Sequence, residues 1–119
     1  MANLNDSLSD LMTMDGALCA AVVDYSSGMM LGSIGSGVDM ELAAAGNTEV
    51  VRAKMKTMKA LGLNDNIDDI LITLGKQYHL IRPSQKLAGI FVYYVLDKAR
   101  SNLALARRKV ADVESNMSM

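Results

Sequence analysis

The sequence predicts an α/β (α+β) domain whose elements follow the order α-β-β-α-β-β-β-α, with helices on both faces of the sheet. Two stretches, residues 17–24 and 87–96, are almost continuously apolar and have the length of strands buried on both faces. Gly75-Lys76 separates two alternating segments and is typical of a two-residue hairpin. Together these features favour one sheet between two layers of helices.

The composition is typical of one globular domain, since 50% of the 119 residues are apolar and 21% are charged. Twelve Lys and Arg against 13 Asp and Glu give a formal net charge of −1, which argues against nucleic-acid binding. One Cys and one His cannot form an intramolecular disulfide or the usual zinc site. We therefore expect neither a metal nor a cofactor.

The apolar runs are far shorter than the roughly 20 residues that span a bilayer, so we expect no membrane insertion. No basic segment precedes a hydrophobic stretch near the first residues, so no signal peptide is visible. We therefore expect a cytoplasmic protein.

The first half of the chain contains a predicted helix, a hairpin and a long second helix. Residues 4–14 show helical spacing of apolar side chains, and strands are predicted at 17–24 and 29–33. Asp39 is predicted to cap a helix that runs to about Leu61.

The second helix has two apolar stripes. The broad one faces one side and includes Met40, Ala44 and Val51, whereas Leu42 and Ala53 fall nearly opposite. Because packing on a sheet needs only one stripe, the second one indicates contact with something beyond the sheet of its own chain.

The second half of the chain contains three strands and a last helix. Strands at 67–74 and 77–82 flank the Gly75-Lys76 turn, and residues 87–96 are predicted to form a central strand. Asp97 is predicted to cap a final helix that ends at about Asn116.

Several candidates for catalytic or ligand chemistry lack the necessary companions. The glycine-rich segment 32–37 precedes a helix but is followed by Val38-Asp39 where a P-loop needs Lys and Ser/Thr. His79 has no adjacent nucleophile pattern, and Cys19 lies within an apolar strand, where a thiol is an inert small hydrophobe. We therefore expect a non-enzymatic protein.

Three segments in order resemble one family. They are Asp15-Gly16-Ala17 with Val22-Val23-Asp24, the hairpin of residues 73–83, and the strand-to-helix ending of residues 96–107. The chain resembles the Roadblock/LC7 family, in particular its bacterial branch. The resemblance covers about residues 4–114, and we interpret residues 1–119 as a single domain of this kind.

The resemblance implies a five-stranded antiparallel sheet of profilin-like architecture, with the second helix on one face and the terminal helices on the other. Members of the family form homodimers by joining their third strands and packing their second helices together. The dimer interface predicted on this basis comprises Val51, Met55, Met58, Ile70 and Ile72.

The resemblance also implies a function. Bacterial relatives bind a small Ras-like GTPase and promote its nucleotide cycle without binding GTP themselves, so we expect a homodimeric GTPase regulator. The predicted GTPase contacts are Glu49, Arg52, Lys56 and Lys59. The alternatives are a dimeric scaffold in a signalling or motility assembly that leaves nucleotide turnover unchanged and, third, an enzyme or small-ligand sensor.

Overall fold

The order of elements agrees with the prediction. A computed structural model describes residues 2–119. Its elements are α1 (Leu4–Leu11), β1 (Ala17–Asp24), β2 (Met29–Gly35), α2 (Met40–Ala60), β3 (Ile70–Thr73), β4 (Gln77–Pro83), β5 (Ile90–Asp97) and α3 (Leu103–Asn116).

The five strands form one antiparallel sheet in the order β2-β1-β5-β4-β3. The predicted central position of β5 is confirmed, since β5 pairs with β1 on one side and β4 on the other. The edges of the sheet are β2 and β3. Each edge is therefore one member of a local hairpin.

Helices cover both faces of the sheet, as predicted. Alternation along β1 directs Ala20 and Val22 into the core beneath α1 and α3, and directs Ala21 and Val23 into the core beneath α2. Val110 of α3 is fully buried in the first of these cores. The small residues of β1 allow the helices to approach the sheet closely.

α2 begins where the sequence indicates. The side chain of Asp39 accepts a hydrogen bond from the backbone N–H of Leu42 at 3.2 Å, which satisfies one of the free donors of the first turn. Ala44 and Val51 face the sheet and are buried, whereas Leu42 is 70% exposed. The predicted second stripe of α2 therefore faces outwards.

β3 is shorter than predicted, since it begins at Ile70 and not at residue 67. Ile70 pairs with Ile81, so an extension of the ladder would bring Asp68 opposite Pro83, which has no N–H to donate. Side chains bind the carbonyl groups before Ile70 instead. Arg82 Nη1 donates to the Asp68 carbonyl.

α3 begins later than predicted, because Asn102 and not Asp97 is its N-cap. The Asp97 carboxylate accepts the N–H of Ala99, and the Asp97 carbonyl accepts the hydroxyl of Ser101. These bonds form a separate turn between β5 and α3. Asn102 then accepts the N–H of Leu105 at 3.1 Å.

β2 runs two residues further than predicted, to Gly35. Gly35 has a φ of +85°, and a Cβ atom there would lie 2.2 Å from the Leu18 carbonyl oxygen. Only glycine fits this position, which keeps Gly35 opposite Cys19 at the end of the β1–β2 ladder. Other boundaries also differ from the prediction: α1 ends at Leu11 and β5 begins at Ile90, and the ends of β3, β4 and β5 each differ by one residue.

Candidate interaction surface

α2 packs over β1 and β2, at one side of the sheet. On the same face, the far half of the sheet carries the side chains of Ile70, Ile72 and His79, which are half-buried. Ile72 of β3 and His79 of β4 are directly opposite in the ladder. We call these three residues the β3–β4 face.

One side of α2 points towards this face. Asn47 lies close enough to the hydroxyl of Tyr93 on β5 to offset part of the rise in the Tyr93 pKa, which places that side of the helix towards the centre of the sheet. Helical spacing puts Ala43, Val50 and Lys54 on the same side, which we call the inner flank together with Asn47. Val50 is 38% exposed there, although it is apolar.

A row of polar groups joins the β3–β4 face to the inner flank. His79 Nε2 lies 2.8 Å from Gln77 Oε1, and His79 Nδ1 lies 2.9 Å from the hydroxyl of Tyr93, which lies near Asn47. Burial lowers the pKa of His79 and raises the pKa of Tyr93. Both side chains are therefore neutral at pH 7.

The outer edge of β3 has no strand beside it within residues 2–119. Its four residues, Ile70–Thr73, contain no charged side chain. The segment before β3 is held by the body of the domain, because Arg107 of α3 binds both carboxylate oxygens of Asp69, at 3.1 and 3.0 Å. The edge available for strand pairing is thus short and fixed in position.

A buried ion pair fixes the other end of β4. Arg82 Nε lies 3.1 Å from Oε1 of Glu114, whose other oxygen accepts the Ser84 hydroxyl at 3.1 Å. Glu114 is only 2% exposed, so its charge depends on these partners. α3 thereby fixes both β3 and β4 from the face opposite α2.

Solved structures with this arrangement identify the fold. A Roadblock/LC7 domain from Streptomyces avermitilis superposes with a TM-score of 0.81 at 12% identity, covering 96% of this chain and 93% of that one. Myxococcus xanthus MglB gives 0.82 at 18% identity, covering 93% and 81% of the two chains. The gliding protein MglB from Thermus thermophilus gives 0.70 at 14% identity, covering 93% and 87%.

The chain has the Roadblock/LC7 fold. The resemblance found in the sequence is thereby confirmed at the level of the fold. No family model matches the sequence, and no curated protein matches it either.

Within the Roadblock/LC7 fold, the predicted dimer residues do not all lie at the surface. Val51 is fully buried in the core beneath α2, so the prediction that its side chain contacts a partner is wrong. Met55 and Met58 are half-buried along α2, and Ile70 and Ile72 belong to the β3–β4 face. An interface through these four residues stays a prediction.

The sequence reasoning missed the residues on the inner flank. Val50 and not Val51 is accessible there, because neighbouring helical positions differ by about 100° in direction and the helix turns Val51 to the sheet. The adjacent polar residue Asn47 was the available signal. His79 was treated only as a possible base, and its bond to Tyr93 depends on the pairing of β4 with β5.

The predicted GTPase contacts of α2 are all accessible. Glu49, Arg52, Lys56 and Lys59 are exposed and lie on the outer side of the helix, away from the sheet. The Roadblock/LC7 fold of this chain thus presents a mixed-charge helix surface on the side of α2 opposite the inner flank.

The candidates for chemistry lie apart from this surface or are engaged in packing. Cys19 is fully buried, and burial raises the pKa of its thiol. Within residues 2–119 no group of three His, Cys, Asp or Glu side chains is arranged to hold a metal ion. Over the same residues, no helix combines the length and apolar character needed to cross a membrane.

Proposed function

We propose that this chain is a non-enzymatic homodimeric regulator of a small Ras-like GTPase. The observation that carries the proposal is the combination of an accessible α2 surface with an open β3 edge, in a fold that superposes on Myxococcus xanthus MglB with a TM-score of 0.82. The α2 surface combines apolar and charged side chains, as protein–protein interfaces do, and it lies on regular secondary structure.

Self-association follows from the edge strand and the inner flank. Ile70–Thr73 exposes unpaired backbone groups, and a second copy related by a two-fold axis would pair its own β3 with them. The same symmetry brings the two inner flanks together. Val50 and the half-buried Ile72 would then lose their remaining exposed surface.

GTPase binding is proposed for the outer side of α2. Arg52, Lys56 and Lys59 supply positive charge, and Glu49 supplies one negative charge, at exposed positions on successive turns. Because these charges lie on the side of α2 opposite the inner flank, they stay accessible in such a dimer. Binding one conformation of the switch loops better than another would shift the nucleotide cycle.

The non-enzymatic part of the proposal is supported by the state of the reactive side chains. The Cys19 thiol is buried with a raised pKa, which disfavours the nucleophilic thiolate. Both ring nitrogens of His79 have hydrogen-bond partners. Neither residue is free to act on a substrate in this conformation.

The test is capture of proteins from source-cell lysate on the immobilised chain, in the presence of GDP or a non-hydrolysable GTP analogue. We expect a Ras-like GTPase to be retained in one nucleotide state only. The purified GTPase is then assayed for nucleotide hydrolysis and exchange with and without the chain. Equal retention in both states, or no change in turnover, contradicts regulation.

Two matched variants test the surface. The double variant Arg52→Ala/Lys56→Ala removes two positive charges from α2. The control Arg100→Ala/Arg108→Ala also removes two exposed positive charges, one just before α3 and one within it. We expect the first variant to lose GTPase binding and keep its oligomeric state, and the second to bind normally. Equal loss in both variants would indicate a general charge effect.

A scaffold in a motility assembly is the second candidate. It is favoured by the similar structure of a gliding protein and by a second open edge, β2, which carries the exposed side chains of Met29 and Leu31. Retention of other proteins regardless of nucleotide, with unchanged GTPase turnover, supports this alternative.

A further inference from the structure

We propose that His79, which is hydrogen-bonded to Gln77 and Tyr93 on the β3–β4 face, is a proton-sensitive group through which acidification weakens the association of two copies of this chain. The inference rests on the proposed homodimer, because these residues lie between the β3–β4 face and the inner flank. It adds regulation of self-association by pH, which is not part of the proposed function.

The hydrogen bonds of the neutral state have a defined direction. Gln77 Oε1 is an acceptor, so His79 Nε2 carries the proton and donates across 2.8 Å. Nδ1 is then the acceptor and receives the hydroxyl proton of Tyr93 across 2.9 Å.

A second proton on His79 reverses the direction of its hydrogen bond with Tyr93. Nδ1 becomes a donor, so the Tyr93 oxygen has to accept from it and the hydroxyl proton has to turn towards α2. Protonation of His79 on β4 therefore changes the hydrogen bond to Tyr93 of β5, whose hydroxyl lies near Asn47 of α2.

The surroundings of the imidazole favour its neutral form. The facing groups are Ile72 of β3, Tyr93 and Val95 of β5, Gln77 of β4 and Asn47 of α2. These groups are all uncharged at pH 7. Burial is the cause that lowers the pKa of His79.

Two further titratable groups lie near this row. The Cys19 thiol, which lies beyond Tyr93, is buried and neutral. On the inner flank the charged position is Lys54, which is exposed to solvent. Beyond Gln77 the ladder places one acidic residue on this face, Asp97 of β5, whose carboxylate accepts the N–H of Ala99.

The sign of the pH effect follows from burial. His79 is half-buried in one chain, and a second copy on the β3–β4 face would cover it further and lower its pKa again. Association is then unaffected at high pH, where His79 is neutral in both states. As the pH falls through the pKa of the single chain, dissociation takes up protons and becomes more favourable.

The size of the effect has an upper limit. The chain has one histidine, so a homodimer can take up two such protons when it dissociates. The dissociation constant can therefore rise by at most about 100-fold per pH unit below the pKa. Between about pH 7.5 and about pH 5.5 we expect the dissociation constant to rise, by an amount within this limit.

Sedimentation velocity of the full chain over a dilution series, at these two pH values, measures the dissociation constant. The matched variant is His79→Gln, which keeps a polar side chain but cannot be protonated in this range. We expect a clear pH dependence for the natural sequence and a flat one for the variant. Circular dichroism at both pH values checks that both proteins stay folded.

The outcomes separate the inference from the proposed function. A dimer whose dissociation constant is the same at both pH values, or changes equally with pH in His79→Gln, overturns the inference and leaves the regulator proposal intact. A chain that is monomeric at every pH and concentration overturns the proposed homodimer as well.

A second measurement does not depend on the folding of a variant. Because His79 is the one histidine of the chain, its ring protons give a single identifiable NMR titration. We expect its pKa to be lower in concentrated, associated samples than in dilute, dissociated ones. Equal values at both concentrations overturn the link between protonation and association.

Discussion

Arg107 of α3 binds Asp69 with two parallel hydrogen bonds, from Nε to Oδ2 at 3.1 Å and from Nη2 to Oδ1 at 3.0 Å. Asp69 immediately precedes β3, so this pair joins the last helix to the strand at the open edge of the sheet. The pair lies on a fixed frame and is bidentate, which makes it more effective than an ordinary surface ion pair.

We expect Arg107→Ala to have a small effect on stability and a larger one on self-association. Arg107 is 44% exposed, so its loss should lower the free energy of unfolding by no more than about 1 kcal/mol. The start of β3 should become more mobile, which hydrogen exchange of Ile70 and Leu71 would detect. Unchanged exchange at β3 in the variant would show that the pair does not position the edge.

Glu114 should be far more sensitive than Asp69. Its carboxylate is 2% exposed and bound by Arg82 and Ser84, so Glu114→Ala leaves the 18%-exposed Arg82 without its counter-charge. We expect a loss of about 3 kcal/mol in urea denaturation. The double variant Glu114→Leu/Arg82→Met should recover most of it, because it removes both charges. A double variant as unstable as Glu114→Ala would mean that packing and not charge is responsible.

Gly35→Ala is expected to destabilise the β1–β2 ladder. The new Cβ would meet the Leu18 carbonyl at 2.2 Å, and the φ of +85° is unfavourable for alanine. Thermal and urea unfolding should show a loss of about 2 kcal/mol or more, because backbone atoms have to move. Gly75→Ala is the control, since nothing lies within 4 Å of its Cβ position. Equal effects at both sites would contradict the steric argument.

The Cys19 thiol should be protected in the native state. Burial raises its pKa, so at about pH 8 it is mainly protonated and also inaccessible to reagents. Alkylation by iodoacetamide, followed by mass spectrometry, should be complete in guanidinium chloride and slow without it. Fast reaction of the folded chain would show that β1 opens frequently or that the thiol is accessible.

Local patterns were sufficient to predict the elements that depend on nearby residues. The bounds of β1 follow from its apolar run, and the start of α2 follows from Asp39 at its N-cap. β3 begins later because Pro83 lies opposite its extension, which becomes visible only when the strands are paired. α3 begins later for a local reason, since Asp97 forms a turn with Ala99 and Ser101 and Asn102 caps the helix.

The candidate site could be predicted only in part. The accessible charges of α2 follow from its helical pattern, whereas the choice between Val50 and Val51 depends on how the helix is rotated on the sheet. The row from His79 to Asn47 joins three separate elements. No spacing in the sequence indicates it, since it arises from the pairing of β4 with β5 and the packing of α2.

The strand order has a consequence for how the chain folds. β1 and β5, the first and last strands, are neighbours at the centre of the sheet, whereas the hairpins β1–β2 and β3–β4 are local. Local hairpins form quickly, but the central pairing has to close a loop that spans most of the chain, which is slower. During synthesis the two hairpins therefore have no shared core until β5 has left the ribosome and pairs with β1 and β4.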